Sequence, residues 1–236
     1  MIPGLRGARG PKLSVVGCTL GVMFLRLLVN LLLPTYCAGC DTRGAPVCAA
    51  CSTTWGSPTA VFRAPLAGLA PAYALARYAG VAQRTLIACK ERRRRDIVPF
   101  LGRVLAAGLA ALPSGGPRAS PWCLVPAPSR RTASRVRGGP HVQRIASEAA
   151  RLTGAYVAPA LVVKGGRDAV GLSRAERVAN LEGRLRFAAA GRPPPDARVV
   201  VVDDVITTGA TSAACVTALK NAGVPVVAVL ALLATV

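Results

Sequence analysis

Acidic residues are scarce in this chain of 236 residues, which has 10 Asp and Glu against 30 Lys and Arg. The formal net charge is +20, so a polyanionic substrate or a nucleic-acid partner is favoured over a basic one. Arginine far outnumbers lysine, and Ala, Gly, Pro and Val are abundant, so coding bias is an alternative source of the same basicity. A place where two of the few acids stand together therefore has special interest.

Aromatic residues make up only 4% of the chain and charged residues 17%, whereas hydrophobic residues make up 52%. So few aromatics leave little for base stacking, and a single-strand binder would depend mainly on arginine–phosphate contacts. The high apolar fraction excludes wholesale disorder, because such a chain can bury a core. The length suits one main domain with a small appendage.

One hydrophobic stretch, 13–33, has the length to span a bilayer, but Arg26 and Asn30 interrupt it. The apolar run before Cys18 is also too short for a lipoprotein signal. A simpler interpretation is a short helix that starts at Met23 and that Pro34 ends. We therefore predict no stable membrane insertion, a cytoplasmic location, and an unstructured or mis-started extension over 1–22.

The eight cysteines fall into two groups. Four stand singly among apolar neighbours and are predicted to be small buried residues: Cys18, Cys89, Cys123 and Cys215. The other four form two Cys-x2-Cys pairs within fifteen residues: Cys37, Cys40, Cys48 and Cys51. Both pairs can reach one tetrahedral ion, so we predict a structural Zn²⁺ knuckle in an appendage over 23–60. A disulfide pairing is less favoured because it needs an oxidising compartment, and a redox site needs only one Cys-x-x-Cys motif.

The remaining chain, 61–236, alternates predicted strands with predicted helices. The strands are 72–78, 122–125, 160–163, 198–202 and 224–233; the helices are 81–90, 96–112, 142–152, 173–181 and 212–222. Ser173 and Glu176 have the spacing that predicts a capping box, and 193–195 is predicted to be a surface turn. This alternation is typical of an α/β fold around a mainly parallel sheet.

The most informative stretch is Val199-Val200-Val201-Val202-Asp203-Asp204-Val205-Ile206-Thr207-Thr208-Gly209-Ala210-Thr211. Four valines in a row are typical of a strand buried on both faces, at whose carboxyl end open α/β sheets bind ligands. Adjacent carboxylates repel each other, so we expect hydroxyls, a cation or both beside them. The run 207–211 adds hydroxyls and amides at a helix start, which suits a phosphate. An ordinary turn capped by one Asp would explain neither the second Asp nor the threonines.

These thirteen residues resemble the phosphoribosyl-pyrophosphate (PRPP) binding motif of type I phosphoribosyltransferases. Together with the four-Cys knuckle and the segments 90–96, 124–131 and 171–181, they are similar to the ComF family. The resemblance runs from about Met23 to the C-terminus. One segment departs from it: where the family usually has Arg-Gly-Phe-Asn-Gln, this chain has Arg137-Gly138-Gly139-Pro140-His141.

The resemblance implies a type I phosphoribosyltransferase-like fold in which Asp203 and Asp204 are catalytic and hold the ribose hydroxyls. The resemblance also implies PRPP binding by Val205, by Thr207, Thr208, Gly209, Ala210 and Thr211 around the 5-phosphate, and by Ser129, Arg130 and Arg131 around pyrophosphate. Mg²⁺ would bridge pyrophosphate and ribose while a nitrogen nucleophile displaces pyrophosphate. Lys90 is a candidate anion contact, although a solvated basic turn is the simpler interpretation, and His141 is interpreted as a loop residue.

Two functions remain open at this point. The first is an enzyme that transfers phosphoribose to an unknown acceptor. The second is a PRPP-sensing or single-stranded-DNA-binding protein that kept the fold and lost turnover. ComF proteins are linked to natural transformation, so the resemblance adds proteins of the competence machinery as partners. The PRPP motif suits both functions, and the basic loops favour the second slightly.

Overall fold

The computed structural model describes residues 34–113, 120–128, 140–163 and 185–235. Several predictions lie outside these ranges. They are the extension 1–22, the helix from Met23, Cys18, the helix 173–181, and the implied pyrophosphate contacts Ser129, Arg130 and Arg131.

Most of the described strands belong to one sheet. In chain order the strands are β1 (Thr59–Ala60), β2 (Ala72–Arg77), β3 (Trp122–Pro126), β4 (Tyr156–Val157), β5 (Leu161–Val163), β6 (Leu185–Phe187), β7 (Arg198–Ile206) and β8 (Val226–Ala234). The sheet order is β1-β2-β8-β7-β3-β4, in which β1 is antiparallel to β2 and the other neighbours are parallel. Strands β5 and β6 pair with each other in a small antiparallel ribbon. The predicted α/β class and the mainly parallel sheet are confirmed.

The described helices are α1 (Ala49–Ser52), α2 (Gly80–Lys90), α3 (Val98–Ala110), α4 (His141–Thr153) and α5 (Ala210–Asn221). Short 3₁₀ turns occupy Ala64–Leu66, Arg95–Ile97 and Ala189–Gly191. Helix α3 begins just after the predicted residue 96, and Pro99 lies in its first turn, where a missing N–H costs no intrahelical hydrogen bond. Within the described ranges, no helix combines the length and the apolar character needed to cross a membrane.

The valines of β7 are buried on both faces of the sheet, as their sequence predicts. Val200 and Val202 pack on the side of α3 and α4, whereas Val199 and Val201 pack on the side of α5. Because successive side chains of a strand point to opposite faces, the residues that follow these valines must also divide between the two faces.

Strand β7 is longer than predicted. The sequence pattern ended it at Val202, but the ladder with β8 continues, with Asp203 opposite Ala231 and Ile206 opposite Ala234. The prediction was wrong because strand length depends on the partner strand, and β8 extends to the same edge of the sheet. Both aspartates therefore lie in the strand rather than in a loop. The predicted surface turn at 193–195 is also only partly exposed, since Pro193 is buried.

The order of the strands reverses direction beside β7. The connection from β3 through α4 leads outward to β4, whereas the connection from β7 through α5 leads the other way to β8. The chain segments that leave the carboxyl ends of β3 and β7 therefore diverge. Open α/β sheets bind ligands at such a switch point.

The cysteine-containing appendage packs against α2 and α3. The Arg84 side chain donates from Nε to the Gly39 carbonyl at 2.6 Å, and Arg94 donates from Nη2 to the Tyr36 carbonyl at 2.8 Å. The Trp55 ring meets the edge of Phe100 with centroids 6.0 Å apart. The Arg84 contact joins the appendage to α2, the helix that ends at Lys90.

Candidate functional site at the carboxyl end of β7

Asp203 and Asp204 lie at the carboxyl end of β7, and each is less than one-tenth exposed. Their side chains continue the alternation of the valines. Asp203 contacts Ser212 on α5, while Asp204 contacts Lys90 on α2 and His141 on α4. The sheet therefore separates the two carboxylates, which reduces the repulsion expected for neighbouring acids.

Asp204 is held by two nitrogen donors. Its Oδ2 lies 2.6 Å from Nζ of Lys90 and 2.7 Å from Nε2 of His141. A carboxylate oxygen can only accept, so Nε2 of His141 carries a proton. Burial alone would raise the pKa of Asp204, but the His141 hydrogen bond and the Lys90 charge outweigh it and hold that pKa below its ordinary value. Asp204 is therefore ionised over the physiological range.

Asp203 is in a different environment. Its Oδ1 accepts from the Asp204 backbone N–H at 2.8 Å, and its Oδ2 accepts from the Ser212 hydroxyl at 2.9 Å. Burial and the neighbouring Asp204 charge raise the pKa of Asp203 to about 7, although these two hydrogen bonds oppose the rise. The acidic pair thus combines one ionised carboxylate with one that titrates near neutrality.

The roles expected for Lys90 and His141 need correction. His141 is the first residue of α4 rather than a loop residue, and it is 6% exposed because it packs against the end of β7. Lys90 is the last residue of α2 and pairs with Asp204, so it is not part of a solvated turn. A useful sequence signal existed, since two buried acids in a chain with one histidine require cationic or hydroxyl partners.

The β7–α5 loop, residues 207–209, leads directly into α5. Thr207 is half-buried, Thr208 is exposed, and Gly209 has a φ of +84°, which suits glycine. The backbone N–H groups of Thr208, Gly209, Thr211 and Ser212 donate to no backbone carbonyl within the described residues. The first amides of a helix lack an intrahelical acceptor, and such a set can bind an anion.

The implied PRPP contacts thus divide into three groups. The acidic pair and residues 207–211 lie together at one edge of the sheet. Val205 pairs with Leu233 of β8 and packs against the core, so its side chain contributes to packing. The positions Ser129, Arg130 and Arg131 follow β3 but lie outside the described residues.

The four-Cys cluster consists of Cys37, Cys40, Cys48 and Cys51, whose sulfur atoms all lie within 4.8 Å of one another. Sγ of Cys40 and Sγ of Cys48 are 3.6 Å apart. Tetrahedral zinc with Zn–S bonds of about 2.3 Å needs sulfur separations of about 3.8 Å, so the cluster is compatible with this ion. The separation also exceeds that of a disulfide, which is about 2.05 Å.

Local hydrogen bonds and burial shift the pKa values of three thiols of the cluster. Burial opposes ionisation of Cys37, but N–H groups that include Cys48 at 3.3 Å and Gly39 at 3.4 Å donate to its sulfur and lower its pKa. The Thr42 hydroxyl lowers the pKa of Cys40 to about 6, whereas burial raises the pKa of Cys51. The solitary Cys89, Cys123 and Cys215 are buried in the core, as predicted.

The chain matches no model of a known protein family and none of the curated proteins with which it was compared. Its function must therefore follow from the chemistry of the residues at the carboxyl end of β7 and from the four-Cys cluster.

Proposed function

We propose that this chain binds PRPP at the carboxyl end of β7 and transfers the phosphoribosyl group, in the manner of ComF-type phosphoribosyltransferase-like proteins. One observation carries the proposal. Two buried adjacent acids lie two residues before a loop in which the amides of Thr208 and Gly209 have no backbone acceptor within the described residues. A phosphorylated pentose carries the complementary groups, since its hydroxyls can donate to carboxylates and its phosphate can accept from amides.

The ribose would bind through the acidic pair. Oδ2 of Asp204 already accepts from Lys90 and His141, while Oδ1 accepts no hydrogen bond within the described residues. A ribose hydroxyl can therefore donate to Oδ1 without displacing either nitrogen donor. Each oxygen of Asp203 accepts one hydrogen bond and keeps a second acceptor site for the neighbouring hydroxyl.

The 5-phosphate would bind at the β7–α5 loop. The amides of Thr208 and Gly209 precede α5, and those of Thr211 and Ser212 lie in its first turn. The positive end of the helix dipole would strengthen these contacts. The exposed Thr208 hydroxyl would add a further donor.

The described residues around the end of β7 offer two carboxylates to magnesium, so the ion would take its further ligands from PRPP and water. Within the described ranges, the four cysteines are the group of metal-ligating side chains that could hold an ion, and both acids at β7 are engaged by hydrogen bonds. When bound with PRPP, magnesium would supply positive charge that favours loss of pyrophosphate. Arg130 and Arg131 would face the same group, on the strength of the resemblance.

The transfer itself is a substitution at the anomeric carbon. The C1–O bond breaks and its electron pair leaves with pyrophosphate, while a nitrogen nucleophile forms the C1–N bond and then loses a proton. The sugar is cationic in the transition state, and the ionised Asp204 would stabilise it. His141 donates to Asp204 and so keeps this carboxylate oriented.

We also propose that the four-Cys cluster binds a structural zinc ion. The appendage packs on α2 through Arg84, and α2 ends at Lys90 beside Asp204. Zinc would therefore stabilise the position of a residue of the acidic site without taking part in the reaction.

The test is thermal stability with PRPP and magnesium, followed by an assay of pyrophosphate release. Ligand at 100 times its dissociation constant adds about 2.7 kcal/mol, which corresponds to roughly 5–11 °C for a chain of this size. Asp204→Asn keeps the shape of the side chain and removes its charge, so the shift should disappear. The exposed Asp196 provides the matched control, since Asp196→Asn should leave the shift unchanged.

Three outcomes separate the alternatives. Pyrophosphate release with a base, an amine or single-stranded DNA as acceptor supports the transferase. A thermal shift without release under every acceptor supports a PRPP sensor that has lost turnover. A folded wild-type chain that shows no shift at millimolar PRPP contradicts both.

A further inference from the structure

We infer that Arg63 is a positioning residue for the β7–α5 loop, an inference that rests on the proposed function. Arg63 Nε donates to the Thr207 carbonyl at 2.6 Å, and its Nη2 donates to the Thr235 carbonyl just after β8. These partners are 144 and 172 residues away in the sequence. One guanidinium therefore joins the ends of the two central strands on the side of the sheet that carries α5.

The contact with Thr207 determines which way the next amide points. The described peptide bonds are trans, so the Thr207 carbonyl and the Thr208 N–H point in opposite directions. Because Arg63 binds the carbonyl, the N–H of the exposed Thr208 is directed away from Arg63, and it meets no backbone acceptor within the described residues. Arg63 thereby presents this amide to a ligand.

The loop also lies directly on the Arg63 side chain. A Cβ atom added at Gly209 would be 2.9 Å from Arg63 Cβ and 3.2 Å from Leu66 Cδ1. Such a close approach, together with the φ of +84°, is compatible with glycine at this position. The aliphatic part of Arg63 thus supports the turn that its guanidinium orients.

Arg63 contributes a charge as well as an orientation. Its acceptors in the described part of the chain are the carbonyls of Phe62, Thr207 and Thr235 and, at 3.5 Å, the Thr235 hydroxyl, with no carboxylate among them. Lysine at this position would keep the positive charge but could not hold two carbonyls in fixed directions. The two contributions can therefore be separated by substitution.

The experiment compares the full-length wild type with Arg63→Lys and Arg63→Gln by titration with ribose 5-phosphate, followed by NMR of backbone amides. Arg192→Gln is the matched control, because Arg192 donates to the Ala222 carbonyl at 3.1 Å at the opposite end of α5. We expect the Thr208 amide of the wild type to move downfield with ligand. Both Arg63 variants should lose about tenfold or more in affinity and most of that movement, whereas the control should match the wild type.

Each other result is decisive. Wild-type affinity in Arg63→Lys would mean that charge alone matters and would overturn the positioning role. Equal affinity in all variants would overturn the inference and leave the proposed function intact, whereas a wild type that responds to neither ribose 5-phosphate nor PRPP would overturn both. If Arg63→Gln does not fold, Arg63→Lys is compared with the wild type instead. Without ligand, the Thr208 amide signal of Arg63→Lys should then be displaced from its position in the wild type.

Discussion

The four-Cys cluster and the acidic site differ in how the chain builds them. All four cysteines come from fifteen consecutive residues, 37–51. The acidic site instead draws Lys90 from α2, His141 from α4 and Ser212 from α5, at sequence separations from Asp204 or Asp203 of 114, 63 and 9 residues. The first site can form as soon as one short segment folds, whereas the second requires the whole sheet.

The two sites also balance charge differently. The acidic site contains its own counter-charge, because Lys90 and the His141 N–H meet Asp204. The cluster collects four groups of one kind, and their thiolates would repel each other unless a cation joins them. We therefore expect the stability of the cluster to depend on a bound metal ion and the stability of the acidic site to depend on pH.

The largest effect should come from removing one thiol of the cluster. Cys48→Ala should abolish bound zinc and lower the unfolding free energy by about 3–5 kcal/mol, because three thiolates leave the structural shell open. Metal analysis of reduced protein and thermal melting provide the measurement. Cys89→Ala removes a buried thiol outside the cluster and should leave one zinc per chain. A wild type that folds without detectable zinc would contradict the proposal.

The next largest effect should be a pH dependence that Asp203 causes. Its pKa of about 7 lies above the unfolded value, so its contribution to stability is complete below about pH 4 and is lost as the pH rises through about 7. Between pH 5 and pH 8 the unfolding free energy of the wild type should fall by about 2–3 kcal/mol more than that of Asp203→Asn. Urea unfolding at several pH values measures this difference. If the unfolding free energies of the two proteins change in parallel with pH, Asp203 is not the group responsible.

A smaller effect should follow from Lys90→Met. The ammonium of Lys90, whose side chain is 31% exposed, lies 2.6 Å from Asp204, and its removal leaves His141 as the remaining side-chain donor to this carboxylate among the described residues. We expect a loss of about 1–2 kcal/mol at pH 7, while Lys220→Met at the exposed end of α5 should change stability little.

The Lys90→Met variant also tests whether the pKa of Asp204 is lowered in the folded protein. A depressed pKa contributes stability above the unfolded value and loses it as the pH falls. The difference between wild type and Lys90→Met should therefore narrow below about pH 4. A difference that stays constant from pH 7 to pH 2 would show that Lys90 acts through packing rather than through charge.

The smallest effect concerns the basic turn 91–94, which follows the helix that ends at Lys90. Any binding of single-stranded DNA should weaken steeply with salt, because arginine–phosphate contacts release counterions. Arg94 binds Asp96 and supports the appendage through the Tyr36 carbonyl, so the variant keeps Arg94 and replaces the exposed Arg92 and Arg93 by Ser. The slope of log affinity against log salt should fall by about 1.4 for two contacts, and an unchanged slope would exclude this turn.

The sequence predicted features that depend on short-range patterns. The spacing of the cysteines indicated the cluster, and the four valines of β7 indicated a strand buried on both faces. It did not predict that β7 continues to Ile206, because the ladder there depends on β8. It also missed the roles of His141 and Arg63, because their contacts with Asp204, Thr207 and Thr235 span 63 or more residues of the chain.

The amino-acid sequence by itself determined which chemical groups occur together, namely four thiols in one segment and two acids before a threonine-rich turn. The tertiary structure alone decided that the two acids face opposite sides of the sheet and meet different partners. The physical reason is that neighbours in a strand are separated by the pleat, while their environments come from helices distant in sequence. Two identical side chains thus acquire opposite pKa shifts through the fold.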